Sequence, residues 1–211
     1  LSPSSAASDV YKRQDIDSDG VFEFAYYESF RDDNTLRITM YDLAQGVLWQ
    51  KNYSGWYVGY ATHTYADIDQ DGSEELLVVS TDTSSYAYLY IISVANGETL
   101  SKNFSSTRIT GVRAWDIDSD GTKEIFISVG PNYVYCLNGD DLSVRWVFEE
   151  ERYGAYDWPS PVTIDDADGD GTYEIFVGRH NGYFSSNPRY CLNADNGSVI
   201  WTSSTGGSLT N

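Results

Sequence analysis

The chain has 211 residues, 32 of them acidic against 13 basic, giving a net charge of −19, and 41% are hydrophobic. That length and apolar content suffice for a packed core, and the acidity argues against nucleic acid as a partner, because binders of nucleic acid present clustered Lys and Arg. No run of about eighteen apolar residues occurs, so the segment carries no signal for a membrane-spanning helix.

Residues 1–14, LSPSSAASDVYKRQ, share nothing with the rest of the chain. Ser5 to Gln14 back-translate to an adapter of the kind used in DNA library preparation, so this leader is set aside from the fold. A disordered Ser/Ala-rich terminus is the alternative. On the adapter reading the native sequence starts at Asp15, inside a repeat whose first strand is missing. The sequence is then silent on a signal peptide.

From Asp15 onward one acidic loop recurs four times: DIDSDGVFE (Asp15 to Glu23), DIDQDGSEE (Asp67 to Glu75), DIDSDGTKE (Asp116 to Glu124) and DADGDGTYE (Asp166 to Glu174). The steps are 52, 49 and 50 residues, the period of a propeller or related repeat array. Carboxylates on alternate positions of a curled loop can all face one ion, and D-x-D-x-D-G is an oxygen-rich motif suited to Ca2+. The candidate ligands are Asp15, Asp17, Asp19 and Glu23; Asp67, Asp69, Asp71 and Glu75; Asp116, Asp118, Asp120 and Glu124; and Asp166, Asp168, Asp170 and Glu174. The residues after the glycines, Val21, Ser73, Thr122 and Thr172, are placed to offer a main-chain carbonyl. Up to four Ca2+ ions are expected.

An EF-hand would need a carboxylate at loop position 12, where this chain has Tyr26, Val78, Ile127 and Val177. That motif is excluded. The last carboxylate stands at position 9 instead and leads into FAYY, LLVVS, IFISV and IFVG, runs with the length and composition of buried strands. Further strands are predicted ahead of the last three loops, over Tyr57 to Ala66, Ile109 to Trp115 and Pro161 to Asp165. Behind the apolar runs come hairpins with N-G or Q-G turns, as in ITMYDLAQGVLWQK, YVYCLNGDDLSVRWVF and RYCLNADNGSVIWTSS. Each repeat thus supplies four short antiparallel strands, the pattern of a propeller blade. The expected fold is all-β: about four blades at 15–55, 56–105, 106–153 and 154–204, forming an arc of a larger propeller within a segment spanning 15–211.

The loop followed by an apolar strand resembles the calcium loop of FG-GAP/VCBS repeats, the blades of integrin-α-like β-propellers. The resemblance covers Asp15 to about Ser204. The Phe-Gly and Gly-Ala-Pro pieces of that family are missing, and Val129-Gly130 and Val177-Gly178 are the echoes of its V-G. Tail strands such as ADNGSVIW are similar to blades of quinone-type propellers. The family resemblance implies a calcium-binding module of a secreted or cell-surface protein, acting in adhesion or in binding a protein or carbohydrate ligand.

The sixteen loop carboxylates are half of all acidic residues, so the negative charge is largely a property of the metal sites. Cys136 and Cys191 occupy the same place in consecutive repeats, too far apart for a disulfide, and are expected as buried thiols. His63 and His180 form no ligand pair by spacing, and His180 is read as an exposed-loop residue. Trp49, Trp146 and Trp201 repeat with the blades and are expected at equivalent buried positions. Trp56, Tyr57, Trp158, Tyr183 and Phe184 lie outside that repeat and are the candidates for stacking on sugar rings. No nucleophile motif, phosphate loop or zinc helix occurs, and no catalytic residue is assigned. A propeller polysaccharide lyase or other glycan-active enzyme is the alternative function, and a structural spacer for another domain is the second. The oligomeric state is open.

Overall fold

The apolar run behind the second and the third acidic loop becomes the second strand of an antiparallel sheet, because both of its faces find a neighbouring sheet to cover them. The computed structural model describes residues 15, 20–56, 63–84, 86–105, 108–150, 158–159, 162–180 and 188–204. Among them every regular element is a strand. The first sheet holds β1 (Glu23–Phe30), β2 (Thr35–Asp42) and β3 (Gly46–Ser54). The second holds β4 (His63–Ala66), β5 (Glu75–Thr81), β6 (Ala87–Ser93) and β7 (Thr99–Phe104). The third is β8 (Ile109–Trp115), β9 (Glu124–Val129), β10 (Tyr133–Leu137) and β11 (Val144–Glu149). A short ladder pairs β12 (Trp158–Pro159) with β15 (Arg179–His180). The fourth sheet is β13 (Thr163–Asp165), β14 (Glu174–Val177), β16 (Pro188–Asn193) and β17 (Val199–Ser204).

These sheets are consecutive antiparallel meanders, and they form the blades of a β-propeller arc. Of the three strands expected ahead of the loops, β8 spans the residues foreseen, while β4 and β13 are shorter; residues 57–62 and 160–161 lie outside the described set. The leader, 1–14, lies outside it as well. His180 is not in a loop but in β15, paired with Trp158.

Alternation along a strand sends successive side chains to opposite faces. In β5, Leu76 and Val78 therefore meet Leu36, Ile38 and Met40 of the first blade. Leu77 and Val79 meet Ile125, Ile127 and Val129 of the third. At the next seam Phe126, Val134 and Cys136 face Ile175, Val177 and Leu192. Burying each such side chain stabilises the fold by about 1.5 to 3 kcal/mol, and a charge placed at Val78, which is fully buried, would split the first seam.

Each seam also carries an aromatic pair. Tyr53 meets Tyr90 at 4.8 Å, Phe104 meets Tyr135 at 5.2 Å and Phe148 meets Tyr190 at 5.1 Å between ring centres. Both cysteines are free and buried. Trp49, Trp146 and Trp201 stand opposite Met40, Cys136 and Cys191 in equivalent registers, each beside a β-bulge, and in the second blade, whose hairpin has no bulge, Leu100 stands at that register opposite Ile91. Their burial is unequal: Trp146 is 9% exposed, while Trp49 and Trp201 are only half-buried. No helix among the described residues is long and apolar enough to cross a membrane.

Candidate metal centre and ligand groove

The acidic loops join β4 to β5, β8 to β9 and β13 to β14, and the first leads into β1. Two left-handed residues curl each of the last three loops. One is the position-4 residue, Gln70, Ser119 or Gly169, with φ of 55°, 60° and 76°. The other is the position-6 glycine, Gly72, Gly121 or Gly171, with φ of 94°, 97° and 90°. A Cβ at those three glycines would meet nothing within 4 Å, so the backbone angle, and not crowding, is what calls for glycine.

The curl fixes the carboxylates in a repeated way. The position-5 aspartates accept a hydrogen bond from the position-7 N–H: Ser73 to Asp71 at 2.7 Å, Thr122 to Asp120 and Thr172 to Asp170 at 2.8 Å. The position-3 aspartates accept from position 5, at 3.1 to 3.3 Å. The position-9 glutamates accept from position 2: Ile68 to Glu75 and Ala167 to Glu174 at 2.9 Å, and Ile117 to Glu124 at 3.1 Å. In each case one oxygen is engaged by the backbone named and the carboxylate has a second oxygen. Burial pushes the Glu75 carboxyl above its ordinary range, and Asp69, Asp71 and Asp67 add to the rise against the Ile68 N–H. Burial likewise raises Glu124, opposed by the Ile117 N–H and Arg145. At the exposed Asp170 the Thr172 hydroxyl and N–H hold the carboxyl below its usual range.

Three groups of ligand oxygens converge to within 4.8 Å of one another: Asp67, Asp69 and Asp71; Asp116, Asp118 and Glu124; and Asp166, Asp168 and Glu174. Oxygens bound at about 2.3 to 2.6 Å from one Ca2+ lie at most about 5 Å apart, so this spacing suits such an ion. Asp67 Oδ1 and Asp116 Oδ1 are moreover buried with no hydrogen-bond partner. The donor set is all oxygen, which fits a hard cation. Glu75, Asp120 and Asp170 stand outside the converging groups. In the first loop Asp15 is exposed and its Oδ2 accepts from Gly20 N–H at 3.0 Å, the same closure as Gly72 to Asp67 and Gly171 to Asp166, both 3.1 Å. Asp17 and Asp19 lie outside the described residues; Val21 and the buried Glu23 lie within them.

Among the sugar-stacking candidates, Trp56 is half-buried with the Arg31 guanidinium 5.2 Å from its ring centre. Tyr57, Tyr183 and Phe184, and the side chain of Trp158, are outside the described set. A groove of about 400 Å³ lies elsewhere, between the first two blades, lined by Asn52, Tyr53, Tyr88, Thr99, Lys102 and Asn103 among others. The Tyr88 and Tyr90 rings are parallel within 7° at 6.1 Å. Tyr88 OH donates to Asp82 at 3.1 Å and Tyr90 OH to the Ser54 carbonyl at 3.0 Å, which leaves oxygen lone pairs able to accept. Sequence reasoning missed this groove because its walls come from two repeats. The signal that could have found it is the Y-x-Y of β6 beside a β7 strand that has no tryptophan where the last strand of the other blades has one.

No protein-family model matches the sequence, and no curated protein matches it. Among solved structures, BamB from Moraxella catarrhalis is similar over 91% of this chain and 49% of its own, with 14% identity and a TM-score of 0.50. The Dos1 propeller is similar over 88% of this chain and 44% of its own, with 14% identity and a TM-score of 0.51. The chain therefore spans about half the length of these structures, and what it shares with them is the β-propeller fold.

Proposed function

We propose that this chain is a calcium-clamped propeller module of FG-GAP/VCBS type, belonging to a secreted or cell-surface protein and working in adhesion or ligand binding. One observation carries the metal part: carboxylates of successive loops converge, and Asp67 Oδ1 and Asp116 Oδ1 are buried without a hydrogen-bond partner. Leaving a buried acceptor unsatisfied costs about 1 to 3 kcal/mol, more when it is charged, and a divalent cation supplies both the missing partner and the missing charge. Bound Ca2+ would act structurally, cancelling repulsion inside the loop that joins the first two strands of a blade. Weak sites of this kind suit extracellular calcium levels.

The ligand part is supported by the groove beside Tyr88, where aromatic faces stand among hydroxyls, amides and one ammonium, the mixture that holds a sugar ring. Calcium titration by calorimetry, with thermal melts in calcium and in chelator, tests the metal reading; absence of both heat and a melting shift would refute it. Binding of the chain to a panel of immobilised glycans, weakened by Tyr88→Ala with the fold retained, tests the ligand reading; a panel with no binder would refute its carbohydrate form.

A further inference from the structure

The residue just before the repeated tryptophan is apolar and exposed in the first and fourth blades, as Leu48 (36%) and Ile200 (48%). In the third blade it is Arg145. Arg145 reaches back from β11 into the third acidic loop. Its Nη2 donates to Asp118 Oδ2 at 3.0 Å, and Nη1 donates to the same oxygen at 3.1 Å and to Glu124 Oε1. The other oxygens of both carboxylates are already engaged, Asp118 Oδ1 by the Asp120 N–H and Glu124 Oε2 by the Ile117 N–H. Asp116, the remaining member of that converging group, accepts at Oδ2 from the Gln70 amide of the second loop at 3.0 Å. Among the described residues, the candidate ligand carboxylates of the second loop (Asp67, Asp69, Asp71, Glu75) and the fourth (Asp166, Asp168, Asp170, Glu174) have no ion pair with Lys or Arg.

We infer that Arg145 is a built-in cation of the third loop: its guanidinium engages the carboxylates a metal would bind, so this blade is clamped without an ion and its loop fills last. The inference rests on the calcium reading above. The guanidinium stays charged at any physiological pH and binds carboxylates through several fixed donors, so Ca2+ must displace it. That displacement breaks the three charge-assisted hydrogen bonds of Arg145, a loss offset in part by rehydration of the freed guanidinium, which weakens the third site against the second and fourth by about ten- to hundredfold. Displacement would also swing a positive side chain out to the blade surface, making the third loop the one whose state changes with calcium in a higher concentration range.

Calorimetric titration of Ca2+ into the metal-free full chain, at fixed ionic strength, compares wild type with Arg145→Leu, which restores the residue type of the equivalent positions. Arg37→Leu, which removes the same charge from an ion pair with Glu28 in the first blade, controls for net charge. The expected result is one additional tight site in Arg145→Leu, or a weakest site tightened about ten- to hundredfold, with Arg37→Leu behaving as wild type. Equal stoichiometry and affinity in all three proteins would overturn the inference while leaving calcium binding intact. No binding by any of them would overturn the calcium reading, and the inference with it. Amide exchange in metal-free wild type needs no variant: the Ile117 N–H should exchange more slowly than its equivalents at Ile68 and Ala167, and equal rates would overturn the inference.

Discussion

The Trp146 indole Nε1–H donates to the Ala194 carbonyl at 2.8 Å, tying the third blade to the hairpin turn of the fourth. Trp49 makes the same bond two seams earlier in the arc, to the Val94 carbonyl of the second blade at 2.7 Å. The indole lies over the turn glycine of the following blade, since a Cβ added to Gly197 would stand 2.7 Å from Trp146 and one added to Gly97 would stand 3.1 Å from Trp49. Where the second blade lacks the tryptophan, Lys102 Nζ reaches the Leu142 carbonyl at 2.8 Å.

Trp146→Ala should cost about 3 to 5 kcal/mol, combining a cavity with a lost hydrogen bond. Trp201→Ala should cost less, because that ring is half-buried and its ring contact is with Phe176 of its own blade, at 6.2 Å. Urea denaturation of both variants measures the difference, and an equal or reversed cost would contradict the seam geometry.

Gly197→Ala should destabilise by about 1 to 3 kcal/mol through its φ of +71° alone, and by more because the new methyl collides with the Trp146 ring. Paired with Trp146→Ala, the same substitution should retain only the backbone part. A double-mutant cycle reads the coupling; additive costs would show that the indole does not press on the turn.

Chelation should lower the melting temperature. A site with a dissociation constant near 0.1 mM, at a tenfold excess of free calcium, contributes about 1.4 kcal/mol, and Asp168→Ala should remove one such increment. Glu75→Gln is expected to behave oppositely in metal-free protein. Burial raises the Glu75 pKa, so its contribution to stability is whole at low pH and is lost as pH rises through the folded value; a neutral amide escapes that loss. The variant should therefore melt higher than wild type in chelator at pH 7, match it in acid, and lose calcium stabilisation at its loop. Differential scanning calorimetry at both pH values decides this.

Burial pushes the Cys136 thiol up to about 12, while an unfolded cysteine ionises near 8.5. The thiol's contribution to stability is accordingly whole below pH 8.5 and is lost as pH rises toward 12, at about 1.4 kcal/mol per pH unit. Cys136→Ala should flatten that alkaline slope in denaturation curves taken between pH 8 and 10. Native protein should react with thiol reagents far more slowly than protein in urea; equal rates would place the thiol in solvent.

The acidic loops, their glycines and the strands behind them were legible because each is settled within about nine residues. A left-handed turn, alternate carboxylates and a period-2 apolar run are local properties, and their recurrence at about fifty residues announces blades. The cysteines, too, followed from register alone. The contacts between blades were not legible. Trp146 finds Ala194 after 48 residues, Tyr53 finds Tyr90 across a seam, and Arg145 comes back over two strands to Glu124. Aligning the repeats column by column would have singled out Arg145 against Leu48 and Ile200, without revealing what it touches. Trp49, Trp146 and Trp201 looked identical in sequence yet differ in burial, because the exposure of an outer-strand side chain depends on what the adjacent blade sets against it. Local chemistry thus determined the loops and the strands, whereas the packing of one sheet on the next decided which side chains are buried, where a groove opens and which acidic loop already holds a cation.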